Sequence, residues 1–138
     1  DVFTDMINLS VPGYATIISM IGVLANRYCS PGSTIYDLGC SLGGATMSMA
    51  HHIERQDYKI VAVDNSGAMI SRFEKSLESS AKKQQIELLC ADIADVEIRD
   101  QSETLSFGER LNSRNYCPAQ NPTFGCRFCE RRLVVPVL

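Results

Sequence analysis

Apolar positions along the first hundred residues switch between two periods. Ile17, Ile18, Ile21, Leu24, Ala25 and Tyr28 recur at three- and four-residue spacing, which predicts a helix over 15–28 with one buried face. Ser30-Pro31-Gly32 ends it, because Pro cannot continue the hydrogen-bond ladder and Gly accepts the backbone angles of a turn. Thr34-Ile35-Tyr36-Asp37-Leu38 reads as a short strand rich in β-branched and aromatic residues. A Gly-rich turn over 39–44 leads into a second helix with Met47, Ala50 and Ile53 on one side. Lys59-Ile60-Val61-Ala62-Val63 is almost continuously apolar, as in a strand buried on both faces of a parallel sheet. Ser66 is placed to cap a third helix, with Met69, Ile70, Phe73 and Leu77 inward and Arg72, Glu74, Lys75 and Glu78 toward solvent. The charged run over 74–83 reads as a solvated helix face, and Ile86-Glu87-Leu88-Leu89-Cys90 as a third strand. Strands separated by single helices imply right-handed parallel crossovers. The fold class is therefore α/β, a helix followed by β-α-β-α-β in a doubly wound, mainly parallel sheet, half of a nucleotide-binding fold.

From about Gln101 neither period is sustained, and only Leu133-Val134-Val135-Pro136-Val137-Leu138 is strand-like. Pro136 would confine that segment to an edge or a terminus. Long structureless loops are uncommon inside compact domains. The expected organisation is a cofactor-binding half over 1–100 and a divergent, poorly ordered tail over 101–138, with the second half of the sheet absent.

Composition narrows the function classes. The 138 residues are one domain's worth of chain, 45% hydrophobic and 21% charged, with a formal net charge of −3. A pI near 5.3 argues against broad electrostatic binding to nucleic acid. No apolar run is long enough to cross a bilayer and no leader pattern opens the chain, so a cytoplasmic protein without membrane contact is expected. The chain begins at Asp1 rather than Met, which places the start of translation upstream.

The sharpest chemical feature is Asp37-Leu38-Gly39-Cys40-Ser41-Leu42-Gly43-Gly44, between the first strand and the second helix. Glycines there permit a tight turn and let a ligand approach backbone amides, while the helix N-terminus favours negative charge. A dinucleotide site wants glycine where Ser41 stands; D-x-G-x-x-x-G suits a nucleoside carrying an amino-acid carboxylate, such as S-adenosylmethionine, and NAD ranks last. The plain alternative is an ordinary Gly-rich turn. Asp64 follows the second strand about twenty residues beyond the loop, where a carboxylate can accept from both ribose hydroxyls; it can equally start the Asp64-Asn65-Ser66 turn. Asp92-Ile93 follows the third strand, where Asp92 can accept from an adenine amino group and Ile93 can pack on the base; a simple loop carboxylate is the alternative.

Val11-Pro12-Gly13-Tyr14, Tyr36-Asp37-Leu38-Gly39-Cys40-Ser41-Leu42-Gly43, Val63-Asp64-Asn65-Ser66 with Ala68-Met69-Ile70, and Ala91-Asp92-Ile93 together resemble the carboxy-S-adenosyl-L-methionine synthase family, over Asp1 to about Asp100. The resemblance implies a Rossmann-like class I methyltransferase fold that binds S-adenosyl-L-methionine or its carboxy derivative. It implies conversion of S-adenosyl-L-methionine and prephenate to carboxy-S-adenosyl-L-methionine and phenylpyruvate, a product used in modifying the wobble uridine of tRNA, and a homodimeric habit. The cofactor contacts it implies are Tyr14, Gly39, Cys40, Ser41, Asp64, Asn65, Asp92 and Ile93. Tyr14 would serve the methionine end, the loop amides the carboxylate, Asp64 the ribose and Asp92 the base; as a helix-entry aromatic, Tyr14 has a core role as its alternative. The family's fourth strand and a later Arg cannot be placed, and Arg127, Arg131 and Arg132 do not inherit that role. A truncated or frame-disrupted member is therefore expected, with weak cofactor binding and little turnover. A generic S-adenosylmethionine-dependent methyltransferase and a non-catalytic adenosine-binding module are the alternatives.

Cys117, Cys126 and Cys129 resemble three thiolates of a zinc site but lack a fourth ligand; His51 and His52 sit near a helix end where exposure is expected, so no metal is assigned. Cys29, Cys40 and Cys90 fall in or beside predicted elements, where a free Cys behaves as a small hydrophobe.

Overall fold

A computed structural model describes residues 12–96, 103–106 and 132–134. The elements follow the order α1 (Tyr14–Tyr28), β1 (Thr34–Leu38), α2 (Gly44–His52), β2 (Lys59–Asp64), α3 (Gly67–Leu77), β3 (Ile86–Cys90), β4 (Glu103–Ser106) and β5 (Arg132–Val134). The strands form one sheet in the order β3-β2-β1-β4-β5. Every pairing is parallel, with Leu38 opposite Val63, Asp64 opposite Cys90, and Leu38 opposite Ser106. The chain starts at the centre, works outward to β3 and returns to the other side of β1. In an open α/β sheet a reversal of this kind leaves a crevice beyond the carboxyl ends of the strands, and ligands bind there.

The pleat sorts the core into two faces. On one, Ile35 and Ile60 pack with Ile21 and Ala25 of α1 and with Ala45, Met49 and Ala50 of α2. Ala62, on the same face of β2, packs with Phe73 and Leu77 of α3. The three α-helices of the described residues therefore cover one side. On the other side Tyr36, Leu38, Val61 and Val63 pack with Ala91, Ile93 and Val96 from the chain after β3. Helices α1 and α2 approach closely at Gly22, where a Cβ would fall 2.3 Å from His52 Nδ1 and 2.7 Å from Ser48 Oγ. Ser48 Oγ donates to the Ile18 carbonyl across the same contact at 2.8 Å.

The three helices and first three strands lie where the periodicity put them. Five details differ. Tyr28, expected on the buried face of α1, is 49% exposed at the last turn of the helix. Helix α3 stops at Leu77, so 78–83 is not a helix face: Ser79 Oγ donates to the Ser76 carbonyl and Ser80 Oγ accepts from the Lys82 amide, local bonds that compete with the helical ladder. Ser66 occupies the N-cap position of α3, yet its side chain makes no capping bond. His51 is exposed as expected, but His52 is half-buried because Gly22 leaves room for its ring. Finally, Glu103–Ser106 supplies a fourth strand beside β1, at a place where the sequence shows no strand pattern. Four residues, Glu-Thr-Leu-Ser, are too few and too polar to display an alternation. β5 lies at the sheet edge, consistent with Pro136 just beyond it. Cys117, Cys126 and Cys129, and the expectation of poor order for the remainder of 101–138, lie outside the described residues. Among the described residues no helix is long and apolar enough to cross a membrane.

Candidate functional site

The carboxyl end of β1 turns through three residues with positive φ: Gly39 at 84°, Ser41 at 50° and Gly43 at 81°. Gly39 and Cys40 both donate backbone amides to the Val63 carbonyl, at 2.8 and 2.9 Å, and Gly43 N donates to the Cys40 carbonyl at 2.7 Å. The loop is thereby seated on the end of β2. Asp64 completes the attachment. Its Oδ2 accepts from the Ser41 amide at 2.9 Å and its Oδ1 from the Ser66 amide at 2.8 Å. One carboxylate thus ties the loop after β1 to the entry of α3. Each oxygen keeps a second acceptor direction, so hydroxyls of a ligand can still bond to it. The two readings of Asp64, turn former and diol acceptor, are compatible.

The glycines divide their work. At Gly43 a Cβ would fall 2.1 Å from Phe73 Cζ and 2.2 Å from Cε2, so its place is taken by a buried ring from α3 rather than left for a ligand. The sequence pattern predicts a tight turn and ligand approach for the loop glycines, and this packing contact adds a third role at Gly43. At Gly44 a Cβ would stand 3.2 Å from the Tyr14 hydroxyl. The start of α1 thus brings Tyr14 to the start of α2, beside the loop.

Asp64 and Asp92 end up beyond neighbouring strands, linked by the Ala91 amide donating to the Asp64 carbonyl at 3.1 Å. Asp92 is exposed and its Oδ1 accepts from the Ala94 amide at 2.9 Å, capping a short 3-10 turn over Ile93–Asp95. Ile93 is half-buried against the face of the sheet that carries Tyr36, Leu38, Val61 and Val63. Asn65 is exposed in the turn after β2. Cys40 is buried, and burial first, with the charges of Asp37 and Asp64 adding to it, pushes its thiol well above the usual range. It contributes backbone and volume to the loop as a neutral thiol, not as a nucleophile.

One residue with a part in the site escaped the sequence reading as more than a motif letter. Asp37 is 1% exposed, and its Oδ2 accepts from Thr46 Oγ1 at 2.5 Å. The Thr46 backbone amide donates to it as well. The N-cap of α2 is Gly43, which has no side chain to offer, so a carboxylate from the neighbouring strand satisfies the first turn of the helix instead. Burial raises the Asp37 pKa from 3.8 to about 6, the Thr46 bonds hold it down, and the Asp64 charge adds to the rise. The available signal was a charged residue inside an otherwise apolar strand, which demands a partner.

A carboxyl whose pKa is higher when folded binds its proton more tightly in the native state. Its contribution is full below about pH 4 and is lost as pH rises through about 6. Asp37→Asn is expected to flatten stability between those limits and to raise stability at pH 7 by about 3 kcal/mol. Urea denaturation of both proteins at pH 4, 5, 6 and 7 checks this; parallel curves for the two would count against it.

A family model described as "Methyltransferase domain" matches residues 35–115. Carboxy-S-adenosyl-L-methionine synthase from Yersinia pestis (strain Pestoides F) is 47% identical over 117 residues, covering 81% of this chain and 44% of that protein. Carboxy-S-adenosyl-L-methionine synthase 2 from Yersinia pseudotuberculosis serotype IB (strain PB1/+) matches to the same extent. The chain thus spans less than half the length of these curated relatives. The similarity also runs past Asp100, where the sequence reading ended it, since the family match continues to residue 115. Among solved structures, a putative S-adenosyl-L-methionine-dependent methyltransferase from Methanococcus maripaludis superposes with a TM-score of 0.59 at 22% identity, covering 77% of this chain and 48% of that one. A SAM-dependent O-methyltransferase from Thermotoga maritima gives a TM-score of 0.57 at 17% identity, covering 67% of this chain and 34% of that one. At those identities the two structures establish the Rossmann-like methyltransferase fold.

Proposed function

The chain belongs to the methyltransferase domain family, and from that premise we propose that it binds S-adenosyl-L-methionine across the carboxyl ends of β1, β2 and β3 and acts in the formation of carboxy-S-adenosyl-L-methionine from prephenate. The observation that carries the binding reading is the Asp64 carboxylate at the end of β2, bonded to the Ser41 and Ser66 amides and still able to accept from a ribose diol. The residues present fit the cofactor. The positive-φ loop and the first turn of α2 offer a backbone surface for the methionine carboxylate. Tyr14 reaches the same end of the loop, Asp64 with Asn65 meets the ribose, and Asp92 with Ile93 meets the adenine. Ser41 argues against a dinucleotide, because its amide is already engaged by Asp64 and its side chain stands where a pyrophosphate needs glycine.

The carboxyl-transfer reading rests on the 47% identity to carboxy-S-adenosyl-L-methionine synthases. The cofactor would supply a sulfonium-activated methyl carbon that, on losing a proton, takes up the carbon dioxide released from prephenate, while that proton and the hydroxide departing from prephenate leave as water. This chain's residues contribute position and electrostatics, with the buried Asp37 and half-buried Asp64 carboxylates beside the loop offering negative charge to a cationic ligand. Carboxy-S-adenosyl-L-methionine made this way would serve wobble-uridine modification of tRNA through a further enzyme, in the cytoplasm, and the synthase would work as a homodimer.

Incubation with S-adenosyl-L-methionine and prephenate, followed by mass spectrometry, tests the reaction. Carboxylated cofactor and phenylpyruvate should accumulate together, slowly but above the enzyme-free control. S-adenosylhomocysteine in their place would favour ordinary methyl transfer, and no new species would overturn the carboxyl-transfer reading.

A further inference from the structure

Thr46 is fully buried in the first turn of α2, and both of its donors, hydroxyl and backbone amide, go to Asp37. A buried carboxylate ordinarily has a cation beside it. Among the described residues no Lys, Arg or His forms an ion pair with Asp37. The groups acting on it are Thr46 from α2 and the like charge of Asp64 from the end of β2, and burial, with its own charge added, keeps the neighbouring Cys40 thiol neutral. An Asn at position 37 would accept the same two bonds without the cost of a buried charge. Two carboxylates therefore flank the loop over 39–44, and among the described residues they are offset by hydrogen bonds from Ser41, Ser66 and Thr46 and by the N-terminus of α2 rather than by an ion pair.

We propose that Thr46 is a positioning residue for the cofactor site: it fixes the Asp37 carboxylate against the first turn of α2, so that a buried negative charge lies under the loop and draws in the positively charged end of the ligand. This rests on the S-adenosyl-L-methionine reading, because the sulfonium and ammonium groups of that molecule supply the cation. The Thr46 hydroxyl acts on the balance directly. A donor to the carboxylate favours its charged form, whereas burial and Asp64 favour the neutral one. Removing the hydroxyl without changing the volume shifts Asp37 toward the neutral acid at neutral pH.

The test compares the wild-type chain with Thr46→Val, Thr46→Ser and Asp37→Asn. Two quantities are read: the midpoint of the Asp37 carboxyl carbon signal in the unliganded protein by NMR, and calorimetric affinity for S-adenosyl-L-methionine from pH 5 to 8. Thr46→Val should raise the midpoint by about one pH unit and weaken binding about tenfold at pH 5 and about fivefold at pH 6, with the difference vanishing toward pH 8. Thr46→Ser should restore both. If the Val variant does not fold, Asp37→Asn carries the test, since it should bind weakly and without the pH dependence. An Asp37 midpoint unmoved by Thr46→Val, or affinity lowered equally at every pH, overturns the proposal and leaves Thr46 a packing residue. A wild-type chain that binds no S-adenosyl-L-methionine at any pH overturns the functional reading, and this proposal with it.

Discussion

Gly43→Ala is expected to lose about 4 kcal/mol of stability, a large part of what holds a domain of this size together. Two causes add. The backbone at Gly43 has φ of 81°, where an L side chain is strained by about 1–2 kcal/mol. Its Cβ would also stand 2.1–2.4 Å from three atoms of the Phe73 ring. Phe73 is fully buried among Ala62, Leu77 and Cys40, so it cannot swing aside without opening the packing of α3 on the sheet. Gly13 is a built-in control. It has nearly the same φ, 79°, with nothing within 4 Å of its Cβ position, so Gly13→Ala should show the strain alone. Urea midpoints for the two variants separate the contributions; equal losses would refute the Phe73 contact as the cause.

Asp64→Ala is expected to weaken S-adenosyl-L-methionine binding by about a hundredfold, the loss of roughly two charge-assisted hydrogen bonds to the ribose. It also removes the acceptor for the Ser41 and Ser66 amides, which loosens the loop and costs about 1–2 kcal/mol of stability. Asp64→Asn keeps one acceptor oxygen and should fall between. Calorimetric affinities together with thermal midpoints distinguish the two effects, because a purely structural Asp64 would lower the midpoint while leaving affinity nearly unchanged in the folded protein.

Much of this was legible in the chain itself. The stripe from Ile17 to Tyr28 and the runs around Ile35, Ile60 and Leu88 are long enough for their periods to be read, and the helices and strands fall on them. The site was legible for a related reason: in a parallel sheet the residues just past successive strands share one edge, so Gly39, Asp64 and Asp92 converge without knowledge of side-chain contacts. What escaped were features that depend on distant pairs. β4 is four residues and becomes a strand only because β1 offers a free edge for Glu103–Ser106 to pair with. Gly43 carries a packing constraint whose other half is Phe73, on another helix. Asp37 and Thr46 look unremarkable in sequence and become a buried hydrogen-bonded pair only when α2 folds over β1. His52 departs from the exposure expected of it because Gly22 approaches from α1.

The central claim is that the ends of β1, β2 and β3 form a site for S-adenosyl-L-methionine organised by Asp64. Calorimetric titration of the chain with S-adenosyl-L-methionine and, separately, with NAD tests it most directly. Saturable one-site binding of S-adenosyl-L-methionine, lost in Asp64→Ala, with no heat of binding from NAD, is the predicted result. Equal affinity for NAD, or S-adenosyl-L-methionine binding that survives Asp64→Ala unchanged, would contradict it.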